Sequence, residues 1–415
     1  MPTAQEILDS FIGINGFSID ADRIEFKRDA MTAMIGIKAL DRHGAVCDGC
    51  GQIVTSIKDR AQRLYRDKPV FDWKVYLKVA RRRVNCPRCG VRSERFPFVE
   101  GRSSFTRRFE RMVFDDSMEQ TIAAAAKKHG ISWHQAARIE YAMLERYDRF
   151  RGPLRAIRWL GVDEICFGRM NNLYTIVSDL EKGAVIGVVD GHQTVSLDAF
   201  FTAAGKPFCE SIRVVCMDMW KAYRASVTAF CANAKIIFDK FHLIRHLNDA
   251  IDEIRRREFF RLGGEMRELV RGKRWLFLRR WFNLTTEQKG LLRETLALNK
   301  RLSIAYYLKE IFGSLWLYTK RAWALKFLDR WQSQLKWQRL KPLEKFMEMV
   351  RKHLDGILNY CEEKIPLGRV EAINGTIKSI IRKARGFRNH RHGALKIMFL
   401  TDTLAYDTLN RGFHT

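Results

Sequence analysis

Four cysteines stand as two matched knuckles, Cys47-Asp-Gly-Cys50-Gly and Cys86-Pro-Arg-Cys89-Gly. In each, two thiolates converge on one ion while the following glycine relieves the tight turn, and two such knuckles complete a tetrahedral Zn²⁺ site. A redox role fits poorly, because there are two copies and neither opens a helix in a βαβ unit. The other five cysteines, Cys166, Cys209, Cys216, Cys231 and Cys361, lie in apolar surroundings and read as inert core thiols. Far downstream, the segment from Leu367 to Phe399 sets one carboxylate, Glu371, among eight lysines and arginines. Helical offsets of 3, 7, 11 and 14 residues put Glu371, Asn374, Lys378, Arg382 and Arg385 on one polar stripe. Val370, Ile373, Ile377, Ile380 and Ile381 form an apolar stripe beside it, and Gly386 is the expected stop. The plain alternative is a solvated basic helix with an incidental acid.

These groups need a scaffold. The chain has 415 residues, too many for one ordinary core, and suggests roughly two to four domains. An apolar and aromatic share of 47% folds, and a formal charge of +27 calls for a polyanionic partner. Nucleic acid is the first choice and a membrane surface the rival. No apolar run approaches the roughly 18 residues of a span, and the start lacks a basic n-region and a cleavage site. A cytosolic protein is expected.

Between the knuckles lie a strand-like run from Phe71 to Val79 and the basic cluster Arg81, Arg82 and Arg83. They predict a small ribbon that owes its fold to the metal and turns a basic face to phosphates. After Arg107 and Arg108, the stretch from Ser117 to Tyr147 reads as an alanine-rich helix ending at Gly130 and a second helix from Ser132. Helix, glycine turn and helix suggest a helix-turn-helix, with Ser132, His134, Gln135 and Arg138 available to base edges or phosphates.

The next stretch changes character. Arg158 to Phe167, Asn172 to Leu180 and Ala184 to Gly191 are three β-rich runs with short links, a predicted antiparallel meander. Helix, strand, helix and strand follow at Thr194 to Ala204, Ile212 to Met217, Trp220 to Ala232 and Lys235 to Phe238, and a long helix opens near Phe241. The order βββαβαβ is that of the RNase H-like fold, in which carboxylates gather around the first and fourth strands. Asp163 falls in the first run and Asp218 just after the fourth. Glu164 competes with Asp163, although alternation sends the two to opposite faces. Asp218 could equally cap the next helix. With Glu371, the two aspartates could hold two divalent ions that clamp the attacking and leaving oxygens of a phosphodiester. Asp239 and His242 are secondary: Asp239 suits an N-cap, and His242 with His246 has metal-ligand spacing.

Several stretches together resemble the ISL-three group of bacterial insertion-sequence transposases: the paired knuckles, the helix-turn-helix region, GVDE at Gly161 to Glu164, MDMWKAY at Met217 to Tyr223, DKFH at Asp239 to His242 and VEAINGTIKSIIRKARGFRN at Val370 to Asn389. The resemblance covers most of the chain. It implies a DDE triad on an RNase H-like fold, with the catalytic, metal-binding acids at Asp163, Asp218 and Glu371. It departs from the family in Leu367-Gly368-Arg369 before that glutamate and Ala372 after it.

Asp218 and Glu371 are separated by 152 residues, far more than such a core needs. From about Phe259 to Lys345 the pattern is helical and rich in tryptophan (Trp275, Trp281, Trp316, Trp323, Trp331, Trp337), which reads as an all-helical insertion. Those rings suit a core, or one of them could stack on a displaced base. The expected organisation is multidomain α+β: a zinc-binding domain over 1–104, a helix-turn-helix region over 105–155, an RNase H-like catalytic domain over 156–257 and 346–415, and the insertion over 258–345. The expected function is a transposase that binds terminal inverted repeats and performs metal-dependent cleavage and strand transfer. Its cofactors would be two Mg²⁺ (or Mn²⁺) ions and one structural Zn²⁺. Its partners would be double-stranded transposon-end and target DNA, met as a homodimer or larger assembly at the bacterial nucleoid. Phosphate contacts are expected from Arg81, Arg82, Arg83, Arg107, Arg108, Arg138, Lys378, Arg382, Arg385 and Arg388, and DNA contacts from Ser132, His134, Gln135 and Asn374. A non-catalytic regulator derived from a transposase and a structure-specific nuclease are the alternatives.

Overall fold

The computed structural model of the chain describes residues 6, 9–10, 12–40, 44–167, 173–261, 267, 271–366 and 368–414. Asn172, at the start of the expected second meander strand, Leu367, and part of the expected insertion lie outside them. The chain divides into two compact units, Met1–Glu145 and Arg146–Thr415.

The first unit holds more β structure than a small ribbon. Strands β1 (Phe17–Lys27), β2 (Thr32–Ala39), β3 (Ala45–Val46), β4 (Ile53–Val54), β5 (Ile57–Arg66), β6 (Lys74–Cys86) and β7 (Gly90–Ser93) form a five-stranded sheet in the order β1-β2-β6-β5, with β7 on β6, and a separate β3-β4 ribbon. Strand β6 organises the sheet. Its alternate residues Val75, Leu77 and Val79 pack with Phe17, Tyr65, Phe96 and Phe98 in one core, and Val84 and Cys86 join Ala45, Cys47 and Val54 in another. The expected strand from Phe71 begins only at Lys74. Val70 and Trp73 exchange backbone hydrogen bonds of 3.2 and 3.0 Å, and Phe71 sits in that turn at φ +50°. The cluster Arg81 to Arg83 is strand, so its members alternate between faces.

Three helices follow, Arg107–Glu119, Ile122–His129 and Trp133–Arg151. The first escaped the sequence reading, although Thr106 caps it and Phe109, Val113 and Phe114 are buried at helical spacing. Gly130 closes the second at φ +62°, a conformation that costs a side chain roughly 1–2 kcal/mol. Ser132 and Gln135 then cap the third reciprocally: Ser132 Oγ accepts the Gln135 N–H at 3.2 Å, and Gln135 Oε1 accepts the Ser132 N–H at 2.9 Å.

In the second unit the meander forms as expected: β8 (Trp159–Cys166), β9 (Leu173–Asp179) and β10 (Ala184–Asp190) pair antiparallel. Strands β11 (Val214–Met217) and β12 (Lys235–Phe238) add parallel to β8, giving the order β10-β9-β8-β11-β12. Helices Thr194–Ala204 and Lys206–Ser211 lead to β11, Lys221–Phe230 joins β11 to β12, and Lys240–Arg261 leaves β12. Helices from Arg274 to Glu362 continue the same apolar core as the sheet, with Phe277, Phe312, Trp331 and Phe346 in one cluster with Val162, Met217 and Phe238. At Gly356 a Cβ would stand 2.4 Å from the Phe238 ring, so only glycine lets the Leu354–Glu362 helix approach β12 this closely.

Candidate active site

Strand register brings the acids together. Val162 of β8 pairs with Met217 of β11, and Met217 pairs with Phe238 of β12. The next residue along each strand direction is Asp163, Asp218 and Asp239, a rank of three carboxylates at the carboxyl side of three adjacent parallel strands, where open α/β sheets place ligands. Asp163 Oδ1 accepts the Glu164 N–H at 2.8 Å, Asp218 Oδ1 accepts the Met219 N–H at 2.6 Å, and Asp239 Oδ1 caps the next helix through the Phe241 N–H at 3.0 Å. Glu164, the neighbour on the other face, is exposed.

His242 completes the rank. Its Nδ1 lies 3.5 Å from Asp239 Oδ2 and 3.9 Å from Asp218 Oδ1, and has no hydrogen-bond partner among the described residues. The Asp239 carboxylate first, then the charges of Asp218 and Asp163, raise it to about 8 against the cost of burial. Burial also pushes the Asp163 carboxyl up, partly offset by the Glu164 N–H, Asn374 and His242. Three carboxylates and one imidazole face one another here, although among the described residues no three of them bring ligand atoms within 4.8 Å of one another.

The helix Gly368–Ala384 delivers the remaining acid. Val370, Ile373 and Ile377 bury its apolar stripe. Two contacts fix its first turns: Arg369 Nη1 donates to the Leu180 carbonyl at 2.7 Å and to the Glu181 carbonyl, and Asn374 Nδ2 donates to Asp163 Oδ2. Glu371, three residues before Asn374, shares its face. It is exposed and has no hydrogen bond or ion pair among the described residues. Its carboxylate, Asp163 and Asp218 do not draw within 4.8 Å of one another, as the four knuckle cysteines do. The polar stripe is one member shorter than expected. Gly386 N–H reaches the Ile381 carbonyl and Arg385 N–H the Arg382 carbonyl, both at 3.0 Å, with Arg385 at φ +56°. This Schellman stop places Arg385 beyond the helix, ahead of Gly386, while Lys378 and Arg382 stay on exposed helix and Arg388 is exposed in the link that follows.

At the knuckles, Cys47, Cys50, Cys86 and Cys89 gather their thiols within 4.8 Å, with Cys50 and Cys86 sulfurs 3.5 Å apart. Against the cost of burial, the Arg88 and Cys89 N–H groups and the thiols of Cys50 and Cys47 bring Cys86 down to about 7, while Cys50, with burial, pushes Cys89 up to about 12. A cluster in which neighbouring thiols ease Cys86 toward its thiolate and hold Cys89 back from it fits a cation that would bind both.

Several cations named from sequence have protein partners. Arg82 pairs with Glu94, which is fully buried, and Arg108 pairs with buried Asp67. Arg83 meets Asp59, Arg107 meets Glu100 at 2.9 Å, and Arg138 stands 3.9 Å from Glu110. Ser132 and Gln135 are engaged in their cap, and His134 is exposed. Removing Arg82 strands the Glu94 charge in the interior, so Arg82→Ala should destabilise this unit by about 3–5 kcal/mol. Urea unfolding monitored within the unit measures it, and an unchanged midpoint would contradict the pairing.

Comparison with known families places the chain in the class of DDE transposases. Residues 160–397 match a family described as transposase, residues 94–140 the helix-turn-helix domain of transposase family ISL3, and residues 43–93 the zinc-finger of the transposases of IS204, IS1001, IS1096 and IS1165. The first match spans more than half of the chain, which therefore belongs to the ISL3 family of transposases. It is 28% identical to the transposase for insertion sequence element IS1001 of Bordetella parapertussis over 95% of this chain and 97% of that protein. It is 26% identical to the transposase for insertion sequence element IS1557 of Mycobacterium tuberculosis over 92% of this chain and 91% of that protein. No helix among the described residues is long and apolar enough to cross a membrane.

Proposed function

We propose that this transposase binds the terminal inverted repeats of its own insertion sequence, frees the element's 3′ ends and joins them to target DNA. The observation that carries the reading is the rank of Asp163, Asp218 and Asp239 across β8, β11 and β12, faced by the Glu371 helix through the Asn374 contact with Asp163. The strand order β10-β9-β8-β11-β12 supports an RNase H-like core over 156–257 and 346–415, interrupted by a helical insertion over 258–345 and preceded by a zinc-binding domain over 1–104 and a helix-turn-helix region over 105–155. Two Mg²⁺ (or Mn²⁺) ions held by Asp163, Asp218 and Glu371 would activate the attacking oxygen and stabilise the leaving one, and one Zn²⁺ would be held by the four cysteines.

The chain's own residues do the rest. Asn374 orients the Asp163 carboxylate. Asp239 caps its helix and, with Asp218, holds His242 beside the rank. Lys378 and Arg382 on the exposed face, with Arg385 and Arg388 beyond the helix, receive the phosphates of the strand being cut. In the first step a water oxygen bonds to phosphorus, the P–O3′ bond breaks and the 3′ oxygen takes a proton. In the second, the oxygen of that 3′-OH bonds to a target phosphorus as its proton leaves, the target P–O3′ bond breaks and the departing target 3′ oxygen takes up a proton. Holding two ends at once calls for a dimer or larger assembly, working on DNA in the cytoplasm. Joining of a labelled end to a target plasmid in Mg²⁺ tests the proposal. Cleavage without joining would make the protein a nuclease, and neither activity would make it a regulator.

The tryptophans divide by burial. Trp331 is 1% exposed in the core, whereas Trp337 is 95% exposed at φ +68°, two residues from Arg339 at φ +53°. Arg301, paired with buried Glu258, braces this turn by donating to the Arg339 carbonyl at 2.8 Å. A strained, braced turn that presents a bare indole beside Lys336 and Arg339 suits stacking on an unpaired base. Trp337→Ala should weaken binding of single-stranded oligothymidine by roughly 5- to 100-fold, with Trp337→Phe near wild type. Equal affinity of the alanine variant would rule the residue out.

A further inference from the structure

The first unit carries a concavity of about 680 Å³ whose wall is dominated by arginine. Its origin lies in strand alternation. Beyond Val75, Leu77 and Val79, which face the core, β6 continues the same face with Arg81 and Arg83. Arg63 of β5 is in register with Val79 and so lies on that face, while Ser93 of β7 is in register with Arg83. Strand β7 also adds Arg92, and the link into the first helix of the helix-turn-helix region adds Arg102. Five guanidinium groups line the wall against one lining carboxylate, Asp48. Arg81 is held in place, its Nε 3.1 Å from the Glu94 carbonyl and its guanidinium 5.9 Å from the centre of the Phe96 ring. Arg83 shares its charge with Asp59. Arg63, Arg92 and Arg102 are exposed, and their guanidinium groups have no hydrogen-bond or ion-pair partner among the described residues.

Like charges gathered in a concavity repel, and the arrangement is stabilised only when an anion enters. The planar fork of arginine matches phosphate oxygens two at a time. We propose that this concavity is a phosphate-binding groove for the backbone of duplex DNA, separate from the helix-turn-helix, in which Arg63, Arg92 and Arg102 are the contacting cations and Arg81 the fixed one. The proposal rests on the transposase reading for its choice of DNA over a small phosphate ligand. It also separates Arg82, which the same strand turns to the other face onto Glu94, from the phosphate contacts.

The test uses the full zinc-loaded chain and a triple variant, Arg63→Ala with Arg92→Ala and Arg102→Ala, on a duplex of arbitrary sequence titrated across salt. Each lost phosphate contact should flatten the slope of log affinity against log salt by about 0.9, and affinity at moderate salt should fall by roughly tenfold or more. Unchanged zinc content and far-ultraviolet dichroism show that the variant is folded. Wild-type affinity and slope in the folded triple variant would overturn the proposal. So would a thermal shift by inorganic phosphate or ATP that the triple variant loses while its duplex binding is unaltered, since the groove would then serve a small anion. If wild type joins no strands yet the triple variant loses duplex affinity, the transposase reading fails and the groove stands.

Discussion

Glu371→Gln should leave a protein that binds DNA at least as tightly as wild type and neither cuts nor joins it. The substitution keeps side-chain size and helix propensity, and the helix stays anchored through Arg369 and Asn374, whose partners in the β9-β10 turn and on β8 are untouched. What is lost is one anionic oxygen donor. A metal ion's stabilisation of a phosphoryl transition state is worth several kcal/mol, and each 1.36 kcal/mol is tenfold, so both activities should fall roughly 100-fold or more. Removing an anion from a basic helix face lowers repulsion with phosphate, which is why affinity is kept or gained. Asp163→Asn and Asp218→Asn should behave alike, and doubling any two should cost little more than one, because residues that act as a unit are not additive. Steady-state cleavage of a labelled end, beside a binding isotherm for each variant, reads both quantities. Near wild-type cleavage by the Gln variant would return Glu371 to an incidental place on a solvated helix and move the search to Glu362 or Glu363. Those two acids already share Lys235, at 3.2 and 3.3 Å.

Loss of zinc should have the next largest effect. The β3-β4 ribbon has two residues per strand, and its core is Ala45, Cys47, Val54, Val84 and Cys86. So little apolar surface cannot hold a fold, whereas a four-thiolate zinc site supplies about 10–16 kcal/mol of apparent binding energy. Freshly purified protein should carry about one Zn²⁺ per chain. Cys86→Ser should release it, open the 45–54 segment to proteolysis and cut DNA affinity. The wall residue Arg92 stands close to this cluster: a Cβ on Gly49 would lie 3.1 Å from Cys89 Sγ and 3.8 Å from Arg92 Nε. Zinc-free protein with full DNA affinity would refute this dependence.

Much of the catalytic unit was legible because its signals are local. The meander, the helix Thr194–Ala204 and the strand Lys235–Phe238 follow from alternation, apolar runs and turn residues, and their bounds agree to within one or two residues. Asp163, in the first predicted strand, and Asp218, just after the fourth, stand out because the order βββαβαβ puts them on neighbouring strands, and β8 and β11 do pair. The roles of Asn374 and Arg82 were not legible. Asn374 looked like a DNA contact on a polar stripe, but its amide meets Asp163 across 211 residues. Arg82 looked like part of a basic cluster, but its partner Glu94 is set by the register of β6 with β7, which no local pattern discloses. Strand β1 was missed for a different reason. Only Phe17, Ser18 and Ile19 are buried, a register shift separates Ile19 from Ile24, and most of the rest is exposed, so alternation never shows. Arg385 was misplaced by a single residue, since a non-glycine took the left-handed position that the sequence offered to Gly386.

We propose that Asp163 of β8, Asp218 just after β11 and Glu371 of a distant helix hold the same pair of ions. Anomalous scattering from Mn²⁺, in crystals of the protein bound to a duplex carrying a cleaved 3′ end, tests it directly. The expected map has two peaks about 3.5–4 Å apart, bounded by Asp163, Asp218 and Glu371, with the helix drawn inward until its carboxylate reaches an ion. Manganese bound at the rank of aspartates with Glu371 still in solvent, or no manganese there at all, would contradict it.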